Sequence, residues 1–377
     1  MTTRRDLLKG VASGLAFCSC GMLEAAHAQG TFDRDPYGRN PKTPARLPVR
    51  VNGKRVKTID THAHCFFQPA LDMMGAEARG SLPPVKGQKE HFIGADGGLA
   101  ERLKGMDSQA IDMEILSINP FWYRKDRETA GKICQLQNEK LAEFCASKPD
   151  RFAAFASLPM QAPDLAAQML ETAVKKYGLK GAAIGGSVNG EDFAVAKYHP
   201  VLAKAEELGC VLFIHPQSTP QLAARFKGNG WLSNLIGNPL DTTLALQKLI
   251  FEGTLDKFPG LKVLAAHGGG YLGSYSARND HACFVSPENC DPNVKLKKQP
   301  SEYVKQLYFD ALVFTPSALQ HLVNQVGASQ VVLGTDHPIP WEQTPVDHVF
   351  QTGTLSDRQK EMILGGNAAK LFGIKVA

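Results

Sequence analysis

Residues 59–64, Ile-Asp-Thr-His-Ala-His, decide the fold class, because an apolar strand-like run ends there in two ligand-type side chains. Alternate residues of an extended chain point to the same side, so His62 and His64 can reach one ion together. Imidazole is a good ligand for zinc and related divalent metals. Alone, such a histidine pair is weak evidence, and its meaning depends on how the rest of the chain is organised.

The chain beyond this stretch alternates short β-rich runs with segments of helical periodicity. Strands are predicted at residues 58–62, 113–117, 152–157, 180–185, 211–215, 262–267, 307–311 and 331–335. Helices are predicted at residues 128–148, 164–177, 199–208, 242–257 and 317–326. Gly178, Gly209 and Gly260 are expected to follow helices in the left-handed conformation. Eight apolar strands alternating with helices predict an α/β fold, either a closed (β/α)8 barrel of the TIM type or a doubly wound sheet.

Two long segments rich in glycine interrupt this alternation, at residues 65–98 and 216–238. They follow the first and the fifth predicted strands, and the second contains Trp231. In a barrel, both are inserted loops on the face where barrel enzymes hold their chemistry. Loops of this length in a compact domain are usually lids or binding loops.

Three later strands end in the same kind of residue as the first. The fifth ends in His215, the sixth in His267 and the eighth in Asp336. Each of these residues terminates a run apolar enough to be buried, so the side chains are expected to converge at one rim of the barrel. A single histidine is readily explained as a core residue bonded to a carbonyl, whereas coincidences on strands one, five, six and eight are not. The pattern predicts a metal-dependent enzyme.

The motifs at these strand ends resemble those of the amidohydrolase-related branch of the metal-dependent hydrolase superfamily. They are His-Ala-His at 62–64, Ile-His-Pro at 214–216, Ala-His-Gly-Gly-Gly at 266–270 and Gly-Thr-Asp-His-Pro at 334–338. The likeness covers residues 58–372 and includes the motifs at 158–163, 239–243 and 366–368. Within the branch, the chain is most similar to aminocarboxymuconate-semialdehyde decarboxylase and related non-oxidative decarboxylases of aromatic acids.

The resemblance implies a set of metal ligands and an acid–base residue. The implied ligands are His62, His64, His215 and Asp336. His267 would lie beside the metal as the acid–base residue. The fourth strand, residues 181–186, has no lysine that could bridge two ions, so we predict a mononuclear site. Zinc is the first choice for its metal and manganese the second. Such an ion lowers the pKa of a bound water and orients the oxygens of the substrate.

The resemblance also implies residues that bind the substrate. Arg278 matches an arginine that, in the semialdehyde decarboxylase, reaches across a dimer interface to a substrate carboxylate, so a homodimer is expected. A guanidinium suits that role because it pairs bidentately with a carboxylate. The alternative for Arg278 is a surface salt bridge with Asp280. His337 and Trp341 are expected to line the pocket, with His337 alternatively forming a hydrogen bond behind the ligands.

The sequence departs from the family at two positions that would contact substrate. Residues 90–94 contain no arginine, and Gln217 stands where the family has a tryptophan. Both departures count against the muconate semialdehyde as substrate. Asp310, at the end of the seventh strand, is expected to be a structural hydrogen-bond acceptor.

From these residues we predict a carboxy-lyase that acts on a small aromatic or unsaturated carboxylic acid. In this interpretation His267 helps deliver a proton to the substrate carbon, and carbon dioxide departs. The alternative is a hydrolase of a lactone, ester or amide, in which Asp336 and His267 shuttle the proton. A third interpretation, a periplasmic binding protein that kept the metal and lost turnover, has no feature in its favour.

The N-terminus has the features of an export signal of the twin-arginine type, predicted at residues 1–28. Two arginines at 4–5 precede a short apolar run at 10–23, and small residues at 26–28 favour cleavage before Gln29. The apolar run is too short to span a bilayer. We therefore expect a periplasmic or secreted protein without a membrane anchor in its mature form. The remaining domains are an extended arm at 29–57 and the barrel at 58–377.

Composition and charge limit the classes of molecule that the protein is expected to bind. The 377 residues carry a formal net charge of +5, and the basic residues are scattered, so a small-molecule substrate is expected and no nucleic acid. None of the cysteines forms a CxxC pair, which argues against a zinc ribbon or a redox motif. Cys283 and Cys290 could form a disulfide in an oxidising compartment, and the sequence does not decide whether they do.

Overall fold

A short antiparallel hairpin begins the part of the chain that the computed structural model describes, which is residues 48–75, 94 and 98–376. Its strands are β1 (Arg50–Val51) and β2 (Lys54–Arg55). This end of the predicted arm is therefore a hairpin. The predicted export signal and the rest of the arm lie outside the described residues.

Parallel strands follow, close to the eight predicted positions. They are β3 (Ile59–His64), β4 (Met113–Ser117), β5 (Phe152–Ala154), β6 (Ala156–Ser157), β7 (Gly181–Ile184), β8 (Val211–Ile214), β9 (Lys262–Ala265), β10 (Tyr308–Asp310) and β11 (Val331–Val332). Each pairs in parallel with its neighbour along the chain from β3 to β5 and from β6 to β11. β5 and β6 are the two halves of the third predicted strand, separated only by Phe155, whose N–H donates to Leu116 at 2.8 Å.

The first and last strands are joined directly, which closes the sheet. The N–H of Thr61 donates to the carbonyl of Leu333 at 2.9 Å, and the N–H of Asp336 donates to His62 at 2.8 Å. Ala63 and His337 form a further parallel bridge. The predicted (β/α)8 barrel is confirmed, and the doubly wound sheet was the wrong alternative.

Helices connect the strands and surround the barrel. They are α1 (Gln68–Met74), α2 (Gly98–Ser108), α3 (Arg127–Ser147), α4 (Pro163–Lys175), α5 (His199–Leu208), α6 (Asn238–Phe251), α7 (Thr254–Lys257), α8 (Leu272–Asn279), α9 (Ala282–Val285), α10 (Pro316–Val326), α11 (Pro345–Gln351), α12 (Asp357–Glu361) and α13 (Asn367–Phe372). The predicted helix at 242–257 is two helices, because Gly253 adopts a φ of 66° between them. No helix of the described residues is both long and apolar enough to cross a membrane.

The glycines that follow helices behave as predicted at two of three positions. Gly178 and Gly209 have φ of 70° and 59°, values that L side chains rarely adopt. The prediction for Gly260 was wrong, since its φ is not positive. There the N–H donates to Oε1 of Glu206 at 2.6 Å, so a side chain rather than a left-handed turn satisfies the backbone.

Two apolar clusters stabilise the barrel. One fills its interior with side chains such as Ile59, Ile115, Phe155 and Phe213, and α13 covers it from below. The other packs the strands against the surrounding helices and includes Leu116. Ile115 and Leu116 belong to different clusters because successive strand residues face opposite sides of a sheet. The polar residues that end the strands therefore lie at the rim formed by the carboxyl ends of the strands.

Candidate metal centre

Three histidines and one aspartate converge at the rim formed by the carboxyl ends of the strands. His62 and His64 lie on β3, His215 follows β8 directly, and Asp336 follows β11. All four are at least 95% buried. One ligand atom from each lies within 4.8 Å of the others. The four residues that the sequence predicted as ligands are therefore together in space, and their role as ligands stays a prediction.

Hydrogen bonds behind the two histidines of β3 fix the nitrogens that face the centre. Nδ1 of His62 lies 2.7 Å from Oδ2 of Asp310, a bond in which the imidazole donates to the carboxylate. Nδ1 of His64 lies 3.0 Å from Oγ of Ser117, whose hydroxyl donates to the carbonyl of Ala63. These bonds place a proton on both Nδ1 atoms, so each ring, when neutral, presents the lone pair of Nε2, as metal-binding histidines do.

The polar atoms at the centre fit a divalent cation. Nε2 of His62 and Nε2 of His64 are 3.1 Å apart, so their lone pairs face each other. Oδ1 of Asp336 lies 3.3 Å from the first and 2.8 Å from the second. Among the described residues, this oxygen and Nδ1 of His215 are buried without a hydrogen-bond partner of good geometry. A cation would satisfy all of these groups together.

The protonation states of the four predicted ligands also bear on metal binding. Burial, and then the neighbouring imidazoles, lower the pKa of His215 well below its usual value, and burial lowers the pKa of His64. Burial also lowers the pKa of His62, but Asp336 and Asp310 outweigh it and raise that pKa to about 10. Burial raises the pKa of Asp336, and the charge of His62 outweighs it and holds the carboxyl well below its usual range. The carboxylate of Asp336 and the neutral imidazoles of His64 and His215 are in the states that metal binding requires, whereas His62 would release a proton when the ion binds.

His267 lies beside the ligands in the turn after β9. Its ring centroid is 5.1 Å from that of His62 and 5.5 Å from that of His215. Its backbone has a φ of 56°, and Nδ1 has no hydrogen-bond partner among the described residues. Burial and the charge of His62 lower its pKa to about 4, so the imidazole is neutral. Gly270 ends the turn because a Cβ there would lie 2.1 Å from the carbonyl oxygen of Pro239.

Asp310 positions both His62 and His267. Oδ2 accepts from the His62 ring and from the backbone N–H of His267 at 2.9 Å. Oδ1 accepts from the N–H groups of Gly268 and Leu312 at 2.9 and 3.1 Å. The expectation of a structural acceptor is confirmed, and the carboxylate in addition orients one of the predicted metal ligands.

The end of β7 leaves no room for a second metal ligand from that strand. A Cβ at Gly186 would lie 2.4 Å from Oδ2 of Asp241, which itself accepts the N–H of Gln217 at 3.0 Å. The carboxylate of Asp241 therefore fills the space above this strand. Burial raises its pKa to about 6. This arrangement agrees with the prediction of a mononuclear site.

A buried charge network next to the centre was missed by the sequence analysis. Nε of Arg102, on α2, donates to Oε2 of Glu114 at 2.6 Å, and Nη1 donates to the carbonyl of His64 at 2.7 Å. Oε1 of Glu114 is 2.6 Å from Nδ1 of His337, and Nε2 of His337 faces Gly105, where a Cβ would lie 2.8 Å away. His337 is thus held behind the ligands, the alternative weighed from the sequence. Glu114 could have been found as the one charge within an apolar strand.

The other predicted substrate-binding residues, Arg278 and Trp341, lie outside this network. Arg278 is exposed on α8, and among the described residues no acidic side chain forms an ion pair with it. Asp280 instead accepts hydrogen bonds from Ser301, so the salt bridge considered for Arg278 is wrong. Trp341 is partly buried and stacks on Trp231, a contact that the sequence did not predict.

Comparison with known proteins identifies relatives of this chain. The family model described as Amidohydrolase matches residues 59–374. The chain is 33% identical to 2-amino-3-carboxymuconate-6-semialdehyde decarboxylase of Dictyostelium discoideum, over 72% of this chain and 76% of that protein. Its fold is similar to 5-carboxyvanillate decarboxylase from Sphingomonas paucimobilis, with a TM-score of 0.73 and 26% identity over 85% of this chain and 100% of that one.

A second solved structure bears on the metal. It is a dihydroxybenzoic acid decarboxylase from Polaromonas with bound manganese and the inhibitor 2-nitroresorcinol, with a TM-score of 0.70 and 26% identity. The match covers 85% of this chain and 98% of that one. With the family model spanning the whole barrel and a site suited to one divalent metal at its rim, this chain belongs to the amidohydrolase family.

Proposed function

We propose that the protein is a metal-dependent, non-oxidative decarboxylase of an aromatic or unsaturated carboxylic acid. The observation that carries the proposal is the convergence of three imidazoles and one carboxylate within 4.8 Å, with His267 beside them. The chain is similar to decarboxylases of a muconate semialdehyde, a carboxyvanillate and a dihydroxybenzoic acid. None of these comparisons favours the alternative of a hydrolase.

The residues divide the chemistry between holding the acid and moving a proton. A bound divalent ion supplies the positive charge that holds the substrate oxygens. His267 offers a nitrogen that no described protein group occupies, so it is available to carry the proton. The proton adds to the substrate carbon that bears the carboxylate. The bond between that carbon and the carboxylate then breaks, its electron pair returns to the ring, and carbon dioxide leaves.

The metal is proposed to be a single zinc or manganese ion. Nitrogen and carboxylate ligands serve both metals, and the sequence pattern favoured zinc. The manganese of the Polaromonas enzyme now supports the second choice equally.

The test is to purify the chain from Gln29 onward, measure its metals by mass spectrometry and assay aromatic acids labelled at the carboxyl carbon. We expect one divalent ion per chain and release of labelled carbon dioxide. Lactones in the same panel distinguish the hydrolase, because ring opening without carbon dioxide would assign that activity instead. Protein without stoichiometric metal would contradict the proposed centre.

We further propose that the protein is a homodimer in which Arg278 binds a substrate carboxylate in the partner subunit. The guanidinium is exposed and lies on the same helix as Tyr275, which is 60% exposed. The following loop, closed by the disulfide between Cys283 and Cys290, leaves Phe284 84% exposed. An exposed apolar surface around an arginine without an ion pair supports association with a second copy.

Mixing two inactive variants tests this role of Arg278. We expect Arg278→Ala to lose decarboxylation at least about 100-fold through the missing carboxylate contact, while its metal content stays normal. Arg358→Ala, an exposed arginine on α12, is the control. Dimers that combine Arg278→Ala with His64→Ala contain one site with both groups intact, so activity should return on mixing. A fully active Arg278→Ala, or a fully active monomer, would contradict the proposal.

Export to an oxidising compartment is also proposed. The predicted signal at residues 1–28 supports it, and so does the disulfide, since such bridges persist in secreted and periplasmic proteins. Fractionation of cells that produce the full chain should place the shortened protein outside the cytoplasm. Replacement of both arginines at positions 4 and 5 by lysine should retain it inside.

A further inference from the structure

Three aromatic side chains from three different loops meet at the mouth of the barrel, and the chemistry proposed above uses none of them. Trp231 comes from the loop after β8, Phe314 from the segment after β10 and Trp341 from the segment after β11. The rings of Trp231 and Trp341 are stacked, with centroids 5.8 Å apart and planes 14° from parallel. The ring of Phe314 lies 6.1 Å from that of Trp341 at 54°. We call these three residues the aromatic mouth.

The chain connects the aromatic mouth closely to the candidate metal centre. The N–H of Ile339 donates to the carbonyl of Asp336 at 2.9 Å, and the N–H of Trp341 donates to Ile339 at 2.8 Å. Trp341 is therefore only two tight turns away from a predicted metal ligand. Because β9 and β10 lie between β8 and β11 in the sheet, the contact between Trp231 and Trp341 joins loops from the two sides of β9 and β10. His267 follows β9.

The conformation of the aromatic mouth leaves the rings of Trp231 and Phe314 open to solvent. Trp231 and Phe314 have φ of 50° and 64°, a left-handed conformation that bulky residues rarely adopt. Their side chains remain 42% and 51% exposed. Rings that served only to join the loops would be buried, since burial is what makes an aromatic side chain stabilising. Here an unfavourable backbone conformation holds apolar ring faces at the entrance to the site.

Resting on the proposed function, we infer that the aromatic mouth binds a second planar ring of the substrate. This ring is carried on the side of the acid opposite its carboxylate, because the carboxylate belongs at the metal centre. An aromatic ring is the ligand that fits, since it stacks on indole faces and removes their apolar surface from water. The structure thereby favours an aryl-substituted aromatic acid over an acid with a single ring.

The experiment compares 2-hydroxybenzoate with 2-hydroxy-4-phenylbenzoate, whose phenyl group lies para to the carboxylate. The preference is the ratio of the two kcat/KM values for carbon dioxide release, and we expect it to favour the phenyl acid. Trp231→Ala should lower this preference about tenfold through KM, as expected for one lost stacking contact. Trp231→Phe, which keeps a ring, should restore most of it. Leu235→Ala is the matched control, because Leu235 lies on the same loop and is 44% exposed.

A binding measurement separates the aromatic mouth from the proposed activity. Of the three tryptophans, Trp122 is fully buried, so a ring bound at the mouth quenches chiefly Trp231 and Trp341. Tighter binding of the phenyl acid by wild type than by Trp231→Ala supports the subsite even if neither acid releases carbon dioxide. Absence of turnover would then contradict only the proposed function. Equal affinity of wild type for the two acids, or a preference unchanged in Trp231→Ala, would overturn the subsite.

Discussion

The two sides of the candidate metal centre are built differently. On the side of β3 and β4, hydrogen bonds hold the groups around the ligands: His62 bonds to Asp310, His64 to Ser117, and Glu114 to a buried arginine. On the side of the loops after β8 to β11, Nδ1 of His215 and of His267 has no partner among the described residues, and aromatic rings face solvent. On the first side, which we call the fixed side, protein groups hold the predicted ligands. On the second, which we call the substrate side, the ring of His215 is left to the cation, and His267 and the aromatic rings are left to a substrate.

Backbone strain follows the same division. Eight residues other than glycine have positive φ in the described part of the chain. Those in the segments that follow β8, β9, β10 and β11 are Ser218, Trp231, His267, Phe314 and Asp336. Non-glycine residues in this conformation cluster at functional sites, where surrounding contacts offset their cost. The comparison assigns most of that cost to the substrate side.

The largest effect should come from removing a ligand on the fixed side. We expect His64→Ala to lose bound metal and to lower carbon dioxide release at least about 100-fold, because the cation loses one of four donors. Metal analysis and the labelled assay measure both quantities. His321→Ala, an exposed histidine on α10, should leave both unchanged. A metal content in His64→Ala equal to that of wild type would show that this side does not hold the ion.

A smaller effect should follow from breaking the charge network behind the ligands. In Glu114→Gln, the fully buried Arg102 loses the carboxylate that accepts from its Nε, and removing one partner of a buried ion pair costs about 3–5 kcal/mol in the free energy of unfolding. Burial raises the pKa of Glu114, but Arg102 and His337 outweigh it and hold the pKa below its usual value. Glutamine has the shape of the carboxylate without its charge, so the loss is electrostatic.

Urea unfolding of Glu114→Gln and of a surface control measures this difference. Glu128 is 78% exposed, and its carboxylate lies 2.6 Å from Nζ of Lys132. Glu128→Gln removes this surface ion pair, and such pairs contribute little to the free energy of unfolding. Unfolding curves of the two variants that coincide would mean that the buried network does not stabilise the fixed side.

The smallest effect concerns Asp241, a buried carboxylate on the substrate side that has no cationic partner in the described residues. Burial raises its pKa from 3.8 to about 6, so the folded state disfavours its ionised form. The contribution of Asp241 to the free energy of unfolding is therefore highest at low pH, falls as pH rises from about 4 to about 6, and stays low above pH 6. Asp241→Asn should therefore stabilise the protein above pH 6 by at most about 3 kcal/mol and have little effect near pH 4.

The difference between variant and wild type at pH 4 and pH 8 measures this prediction, because effects common to both proteins cancel. The amide oxygen of the introduced asparagine would still accept the N–H of Gln217, so the hydrogen bond is retained. Asp150→Asn, at an exposed position, serves as control. A stabilisation by Asp241→Asn that is larger at pH 4 than at pH 8 would reverse the sign and refute the account.

Sequence alone located the barrel and the four predicted ligands that lie together, because both depend on local order. An apolar run that ends in histidine or aspartate places that residue at the rim, whatever its distant neighbours are. The network of Arg102, Glu114 and His337 was not predictable in this way, since its members come from α2, β4 and the segment after β11. The stacking of Trp231 on Trp341 depends on loop conformations with positive φ, which no periodicity encodes.

Closure of the barrel has a consequence for how the protein folds. The bonds that join its first and last strands connect residues 272 and 275 positions apart, as between Thr61 and Leu333 and between Asp60 and Thr335. Contacts so distant along the chain carry a large loop-closure entropy and form late. His62, His64 and Asp336 lie at this seam, so a complete set of ligands exists only after the last strand has docked. Metal uptake then follows chain closure and makes it hard to reverse, which suits the proposed export of a protein that is already folded.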